Sequence, residues 1–130
     1  MDRLYFILAM MLFGILGMAS SLMAGEGPFY AVAAESESAA AQVSAQAARS
    51  PYFLLFDEQG GLVEAVANPY QQAAGGAGPQ VVEFLAGKGI RTIIAGEFGS
   101  KLTAAMKGKG MTFQTATGSA ADAVRTYLNH

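Results

Sequence analysis

Two short segments repeat in the second half of the chain, and they limit the folds that it can adopt. Lys88-Gly89-Ile90 and Lys109-Gly110-Met111 each end a helical pattern and begin an apolar strand pattern. Gly99-Ser100 and Gly118-Ser119 each end a strand pattern and begin a helical one. Successive helix–strand units place their strands parallel in one sheet, joined by right-handed crossovers. The repeat therefore predicts an α/β fold.

The spacing of apolar runs and turns in the first half of the chain predicts an antiparallel meander. Residues 29–34, 52–56 and 62–67 are apolar runs of strand length, and residues 57–61 between the last two are typical of a hairpin turn. Residues 35–46 are rich in Ala and Ser. Their composition fits either a mobile loop or a weak helical turn.

The second half is expected to contain three helices and two strands. Helices are predicted over residues 79–86, after a Ser100 cap, and after a Ser119 cap that resembles a capping box. Strands are predicted at residues 90–95 and 111–116. Together the patterns predict a mixed five-stranded sheet, with three meandering strands, then two helix–strand units and a C-terminal helix.

A glycine-rich segment, Gly75-Gly76-Ala77-Gly78, follows the Asn68-Pro69 turn and precedes Pro79. Pro79 is expected to open a helix, where its missing N–H costs nothing. Free N–H groups at a helix N-terminus favour an anion. The segment is therefore either an anion site or a tight turn without a ligand.

The carboxyl ends of the parallel strands are the expected ligand edge of such a sheet. Three parts of the chain should meet there: Glu35, the loop at residues 95–99, and the Thr117-Gly118 turn. The glycine-rich segment is a candidate to join them.

An uncharged run from Tyr5 to Met23 has the composition of a secretory signal peptide or a single membrane anchor. Small residues follow the apolar stretch, and Ala24 offers a cleavage position. A cleaved signal is favoured because the domain starts at Phe29, within a few residues of Ala24, whereas an anchored domain usually has a longer tether. We therefore divide the chain into a leader, residues 1–24, and one domain, residues 25–130. The domain is expected in the periplasm or elsewhere outside the cytoplasm. An uncleaved chain would contact the membrane only through residues 5–23.

The remaining composition argues against several kinds of site. Apart from Asp2 and Arg3, the chain carries seven basic and nine acidic residues, which gives no support for nucleic acid binding. The sequence has no cysteine, and its single histidine is His130. The chain therefore has no thiolate to hold a metal ion, and a single histidine at the last residue gives no support for a Ser-His-Asp triad. We therefore expect no metal site and no catalytic residue.

With these elements placed, the chain from Phe29 to Leu128 resembles the dinitrogenase iron–molybdenum cofactor biosynthesis family. Four segments match in order and spacing: residues 30–35, residues 43–53, Asn68-Pro69 with residues 75–80, and residues 94–99. The resemblance implies a ribonuclease H-like fold. It also implies an iron–sulfur or iron–molybdenum cluster as the ligand that family members carry.

The chain departs from the family pattern before its second strand. The family usually reads Ser-Glu-His-Phe-Gly-Arg, whereas this chain reads Ser44-Ala45-Gln46-Ala47-Ala48-Arg49. The family's His is its best candidate for contact with a metal cluster, and a neutral amide is a poor substitute for imidazole. We therefore predict weak or absent cluster binding. Arg49 is expected either to pair with an anionic ligand or to form a surface salt bridge.

The candidate ligand-binding residues come from the matched segments and the glycine loop: Gln46, Arg49, Gly75, Gly76, Ala77, Gly78, Glu97 and Phe98. Met106, Met111 and the aromatic residues of the first two strands are interpreted as core rather than as ligands.

Three classes of function are considered. The first is an exported binding or carrier domain for a cluster or another small anion. The second is a structural or partner-binding module of an extracytoplasmic or membrane assembly that kept the fold without a cofactor. An enzyme is the third, and we expect none, because the acidic residues fall in turns and loops and fold alone does not assign an activity.

The apolar run leads to a prediction about export. Expression in an exporting host should yield a chain that lacks residues 1–24, because the run ends in small residues at a cleavage position. Intact-mass spectrometry of the purified protein measures this directly. A full-length chain in the membrane would favour the anchor, and a soluble cytoplasmic chain that begins at Met1 would contradict both forms of the prediction.

Overall fold

The computed structural model describes residues 27–129, so the predicted leader lies outside the described residues. A mixed five-stranded sheet forms its centre, in the order β3-β2-β1-β4-β5. The strands are β1 (Tyr30–Ala34), β2 (Tyr52–Phe56), β3 (Leu62–Ala67), β4 (Thr92–Ala95) and β5 (Thr112–Thr115).

The strand directions agree with the two sequence patterns, which are the meander of the first half and the helix–strand units of the second half. β1 pairs with β2 and β2 pairs with β3 in antiparallel fashion, whereas β1 with β4 and β4 with β5 are parallel. The predicted fold class, a ribonuclease H-like mixed sheet built from a meander and two helix–strand units, is confirmed.

Three helices in the described part of the chain cover the two faces of this sheet. They are α1 (Ala77–Ala86), α2 (Ser100–Gly108) and α3 (Ala120–Leu128). α1 and α2 pack on the face that carries Ala31 and Ala33, and α3 packs on the face that carries Val32. β1 is therefore buried on both faces, which explains its continuous apolar sequence. No helix within residues 27–129 combines the length and the apolar character needed to cross a bilayer.

Two predicted helix starts need correction. α1 begins at Ala77 rather than Pro79, because Gly76 is the N-cap with a left-handed backbone (φ 68°) that glycine readily adopts. Pro79 is the third helical residue, where the N–H still has no partner within the helix. Ser100 is the first residue of α2 rather than its cap, a place that Gly99 takes. The Ser119 cap is confirmed, since its hydroxyl accepts a hydrogen bond of 3.3 Å from an amide of α3.

The interpretation of the methionines and aromatic residues is largely confirmed. Met106 is fully buried against α1 and the sheet, and Tyr30 and Phe53 lie in the core. Tyr52, at the start of β2, is only partly buried. Met111 is also buried, but the strand that follows it is not, because β5 is an edge strand with exposed side chains. Burial, followed by the neighbouring charges of Tyr127 and Glu58, raises the pKa of Tyr30 above its ordinary value of 10.0.

Residues 35–47, here called the crossing loop, run across the carboxyl ends of β1 and β4 without forming a helix. Main-chain hydrogen bonds hold the loop there. Ser44 N donates to Ala33 O at 2.7 Å, and Gly96 N donates to Ser44 O at 2.8 Å. Ala47 N donates to the main-chain oxygen of Glu97 at 3.1 Å. The crossing loop therefore forms one wall of the predicted ligand edge.

Asn68 joins the segment after the crossing loop to the end of β3. Its buried amide nitrogen donates to Ala48 O at 2.9 Å and to Ser50 O at 3.0 Å. Its amide oxygen accepts a hydrogen bond of 2.9 Å from Tyr70 N. One side chain thus satisfies three main-chain groups in a buried position, where an unpaired polar group is costly.

We expect Asn68→Ala to lower the free energy of unfolding by about 1–3 kcal/mol, because it leaves these main-chain groups without a partner. Urea denaturation followed by circular dichroism measures the change. Gln72→Ala, at an exposed position in the same loop, is the matched control and should change stability little. Equal stabilities of the two variants would contradict the structural role of Asn68.

Candidate functional site

Two adjoining cavities lie at the carboxyl edge of the parallel strands. The first has a volume of about 280 Å³ and the second about 380 Å³. Ala48, Arg49 and Gly99 line both of them. The cavities therefore form one continuous surface, with Arg49 at their junction.

The first cavity is built from the crossing loop and the loop that follows β4. Its characteristic side chains are Gln46, Arg49, Glu97 and Phe98. Gly96 is required where these loops meet, because a Cβ at this position would lie 2.9 Å from Ala45 Cα. The cavity offers an amide, a cation, a carboxylate and an aromatic ring, so its formal charges cancel.

The second cavity is built from the N-terminal ends of α1 and α2. Gly75, Gly76, Ala77 and Gly78 line one side of it. Residues 99–102 line the other, and Lys101 among them adds a second cation to that of Arg49. Since no carboxylate is among its lining residues, this cavity carries a positive charge.

Both helices that begin at the second cavity lack the usual stabilising groups at their N-termini. Neither α1 nor α2 has a side-chain cap or an acidic residue in its first turn. α3, which begins elsewhere, has both, in Ser119 and Asp122. Lys101 stands in the first turn of α2, where the helix dipole disfavours a cation. An anion in the cavity would satisfy the free N–H groups and relieve this unfavourable placement.

Arg49 holds the loops around the cavities in place and also contributes a positive charge. Its Nη1 donates to Gln71 O at 3.1 Å and to Ala73 O, which holds the loop before α1 against the segment after the crossing loop. Among residues 27–129 Arg49 forms no ion pair, so the surface salt bridge considered for it is not formed within that part of the chain. A guanidinium has five N–H donors. Those of Nε and Nη2 make no hydrogen bond within residues 27–129.

Gly78 has a packing role that the sequence did not reveal. A Cβ at this position would lie 3.0 Å from Leu102 N and 3.2 Å from Leu102 Cα. The glycine therefore lets the first turns of α1 and α2 approach closely, and this approach creates the second cavity.

The structure brings all eight predicted binding residues to one surface, but it divides them. Gln46, Glu97 and Phe98 line the first cavity, the glycine segment lines the second, and Arg49 lines both. Glu35, predicted at the same edge, lines neither. Sequence reasoning missed Lys101, for which a signal existed: a lysine two residues after a glycine at the start of a predicted helix, where an acidic residue is usual.

The donor set does not fit direct coordination of an iron–sulfur or iron–molybdenum cluster. The side chains available at the two cavities are an amide, a carboxylate, a hydroxyl and two cations, whereas such clusters are held by thiolate or imidazole. In residues 27–129, no group of three or more His, Cys, Asp or Glu residues is placed to hold a metal ion. The donors do fit an anion held by hydrogen bonds and charge.

Comparison with known proteins supports the overall fold that carries this surface. Comparison with curated proteins found no match. The chain is similar to the apo form of the orange protein from Desulfovibrio gigas, with 25% identity and a TM-score of 0.72 over 77% of this chain and 86% of that one. It is also similar to a putative NifB protein from Thermotoga, with 28% identity and a TM-score of 0.68 over 78% of this chain and 88% of that one.

The family comparison agrees with the resemblance carried by the four matched segments. The family model described as dinitrogenase iron–molybdenum cofactor matches residues 29–130, which include both cavities. The chain therefore belongs to the dinitrogenase iron–molybdenum cofactor family.

Proposed function

We propose that this protein is an extracytoplasmic binding or carrier domain, without enzymatic activity, that holds a small anionic ligand in the second cavity. The charge of that cavity is the observation that carries the proposal. Arg49 and Lys101 line it without a carboxylate, and the uncapped N-termini of α1 and α2 meet there. The apolar run at residues 5–23 supports the location outside the cytoplasm.

The nature of the ligand follows from the donors. Main-chain N–H groups, a guanidinium and an ammonium recognise oxyanions such as phosphate, sulfate or a carboxylate. A metal cluster of the kind that the family handles is itself anionic. This chain would hold such a cargo by hydrogen bonds around its periphery rather than by bonds to metal.

The alternative is a structural or partner-binding module that has kept the fold and lost its ligand. The exposed edge of the sheet favours it, because Phe113 on β5 is 50% exposed. The two proposals make different predictions for anion binding.

We predict that phosphate or sulfate at millimolar concentration shifts the amide resonances of Gly76, Ala77 and Gly78, with those of Ser100 and Lys101. These amides lie at the two helix N-termini. The measurement is a ¹H–¹⁵N correlation spectrum recorded during the titration. Lys101→Gln should weaken the affinity by about threefold, as expected for the loss of one surface charge.

Lys109→Gln is the control, because it removes a lysine charge from the far end of α2, where Lys109 pairs with Glu83 at 3.0 Å. It should leave anion affinity unchanged. Absence of shifts at these amides, or equal effects of the two lysine variants, would rule out the anion site.

Cluster uptake is predicted to depend on position 46. Reconstitution with iron and sulfide without oxygen should give little visible absorbance for the wild type, because Gln46 offers no strong iron ligand. Gln46→His should gain absorbance, since its imidazole would enter the first cavity from the crossing loop. Gln42→His, an exposed change on the same loop outside both cavities, is the control. Tight uptake by the wild type, with no gain from His, would show that our interpretation of position 46 is wrong.

A further inference from the structure

β5 is an edge strand whose outer side is open in the described part of the chain. Thr112 N donates to Arg91 O at 2.9 Å, and Ala116 N donates to Ala95 O at 3.0 Å. Alternate residues of a parallel strand face the same neighbour. The main-chain groups of Phe113 and Thr115 therefore point away from β4.

One of these outward groups is already engaged. Gln114 Nε2 donates to Thr115 O at 3.2 Å. The N–H and C=O of Phe113 and the N–H of Thr115 remain as three groups that can pair with an added strand.

The other edge of the sheet carries features that discourage strand addition. β3 has an irregular register opposite Leu55 and Phe56, and its Glu64 forms an ion pair of 3.8 Å with Lys88. Bulges and charged side chains protect edge strands from pairing with another chain. β5 reads Thr-Phe-Gln-Thr, without charge or proline. Among the two sheet edges in residues 27–129, the β5 edge is therefore the less protected one.

Two grooves of different character flank β5. The α2 groove, between β5 and α2, has a volume of about 410 Å³ and contains Met111, Phe113 and Lys107 among its lining residues. The α3 groove, between β5 and α3, has a volume of about 270 Å³ and contains Gln114 and Thr126 among its lining residues. The α2 groove combines apolar side chains with Lys107 and the hydroxyls of Ser100 and Thr103. The α3 groove combines hydroxyl and amide groups with the Asp122 carboxylate, which is paired with Arg125.

An added strand would use both grooves. Successive side chains of a strand point to opposite faces of the sheet. Apolar side chains on one side would therefore enter the α2 groove beside Phe113. Small polar side chains on the other side would enter the α3 groove.

We propose that β5 is a docking edge for an extended segment of another protein. That segment alternates apolar and small polar residues, with an acidic residue on its apolar side. Main-chain pairing provides affinity in this mode of recognition, and the pockets for alternate side chains provide specificity.

Lys107 supplies the argument for an acidic partner rather than a second copy. The ion pairs formed within residues 27–129 engage Lys88, Lys109 and Arg125, but not Lys107. Symmetric pairing of β5 with β5 would bring a second Lys107 to the same face of the sheet. Like charge opposes that arrangement, whereas a carboxylate complements it.

The test uses the protein as isolated from an exporting host, in detergent if the leader is retained. The probe is the capped peptide Thr-Glu-Thr-Val-Thr-Ile-Thr, which places Glu, Val and Ile on one side. One control peptide replaces Glu with Lys, and another, Thr-Thr-Glu-Val-Ile-Thr-Thr, keeps the composition without the alternation. The Glu peptide should shift the amides of Phe113 and Thr115, and it should bind about fivefold more tightly than the Lys peptide.

Two variants separate docking from general effects on the fold. Lys107→Glu should reverse the preference between the Glu and Lys peptides. Thr115→Pro should abolish binding, because it removes an outward N–H at an edge position where proline is tolerated. Thermal unfolding should show that both variants remain folded.

Several results would overturn the proposal. Equal binding of the alternating and non-alternating peptides would do so, as would shifts confined to the second cavity. A preference that Lys107→Glu leaves unchanged would remove the charge argument. Concentration-dependent dimerisation, with β5 amides shifting in the absence of peptide, would make a second copy the occupant instead.

Discussion

The structure depends on the complete burial of β1. Its five residues are buried, and it pairs with β2 on one side and β4 on the other. A strand in that position must have its main-chain groups paired, because buried N–H and C=O groups without partners are costly. Those pairs fix the point at which β1 ends. The crossing loop follows β1 and returns to its carboxyl end, where Ser44 N donates to Ala33 O at 2.7 Å. The first cavity is therefore positioned by the innermost strand of the molecule.

Electrostatics distinguish the two halves of the site. In the first cavity Glu97 offsets the charge of Arg49, whereas the second cavity combines Arg49 with Lys101. Lys101 does not stabilise the first turn of α2, because the helix dipole disfavours a cation at that end. In natural proteins, residues whose local placement costs stability are often found at functional sites. The unfavourable lysine and the missing caps point to the same cavity, which is why we propose that the ligand binds there.

Much of the fold could be predicted from periodicity, because each buried strand and each amphipathic helix leaves its own apolar pattern. The repeat of Lys-Gly after each crossover helix correctly predicted the parallel half of the sheet. The start of α1 was misplaced because proline is accommodated anywhere in the first helical turn, so Pro79 did not fix the first residue. The path of the crossing loop was not predictable, because main-chain hydrogen bonds leave no signature in the sequence.

The sequence predicted which residues line the candidate site, but it did not predict that they form two cavities. The eight residues were found through matched segments, and the chain indeed brings them to one surface. Their division into two cavities depends on the close approach of Gly78 to Leu102. The two carbonyls that Arg49 binds lie more than twenty residues away along the chain. Long-range contacts of this kind have no local pattern from which they could be inferred.

The way in which the crossing loop is held has a consequence for how the site can evolve. The bonds that place the loop are made by main-chain atoms, and the Gln46 side chain is exposed. Position 46 can therefore change without disturbing the architecture around it. Glutamine and histidine codons differ by a single third-position nucleotide. A lineage with this scaffold can thus lose an imidazole at this position, adapt to another ligand and regain the imidazole, all without a new fold.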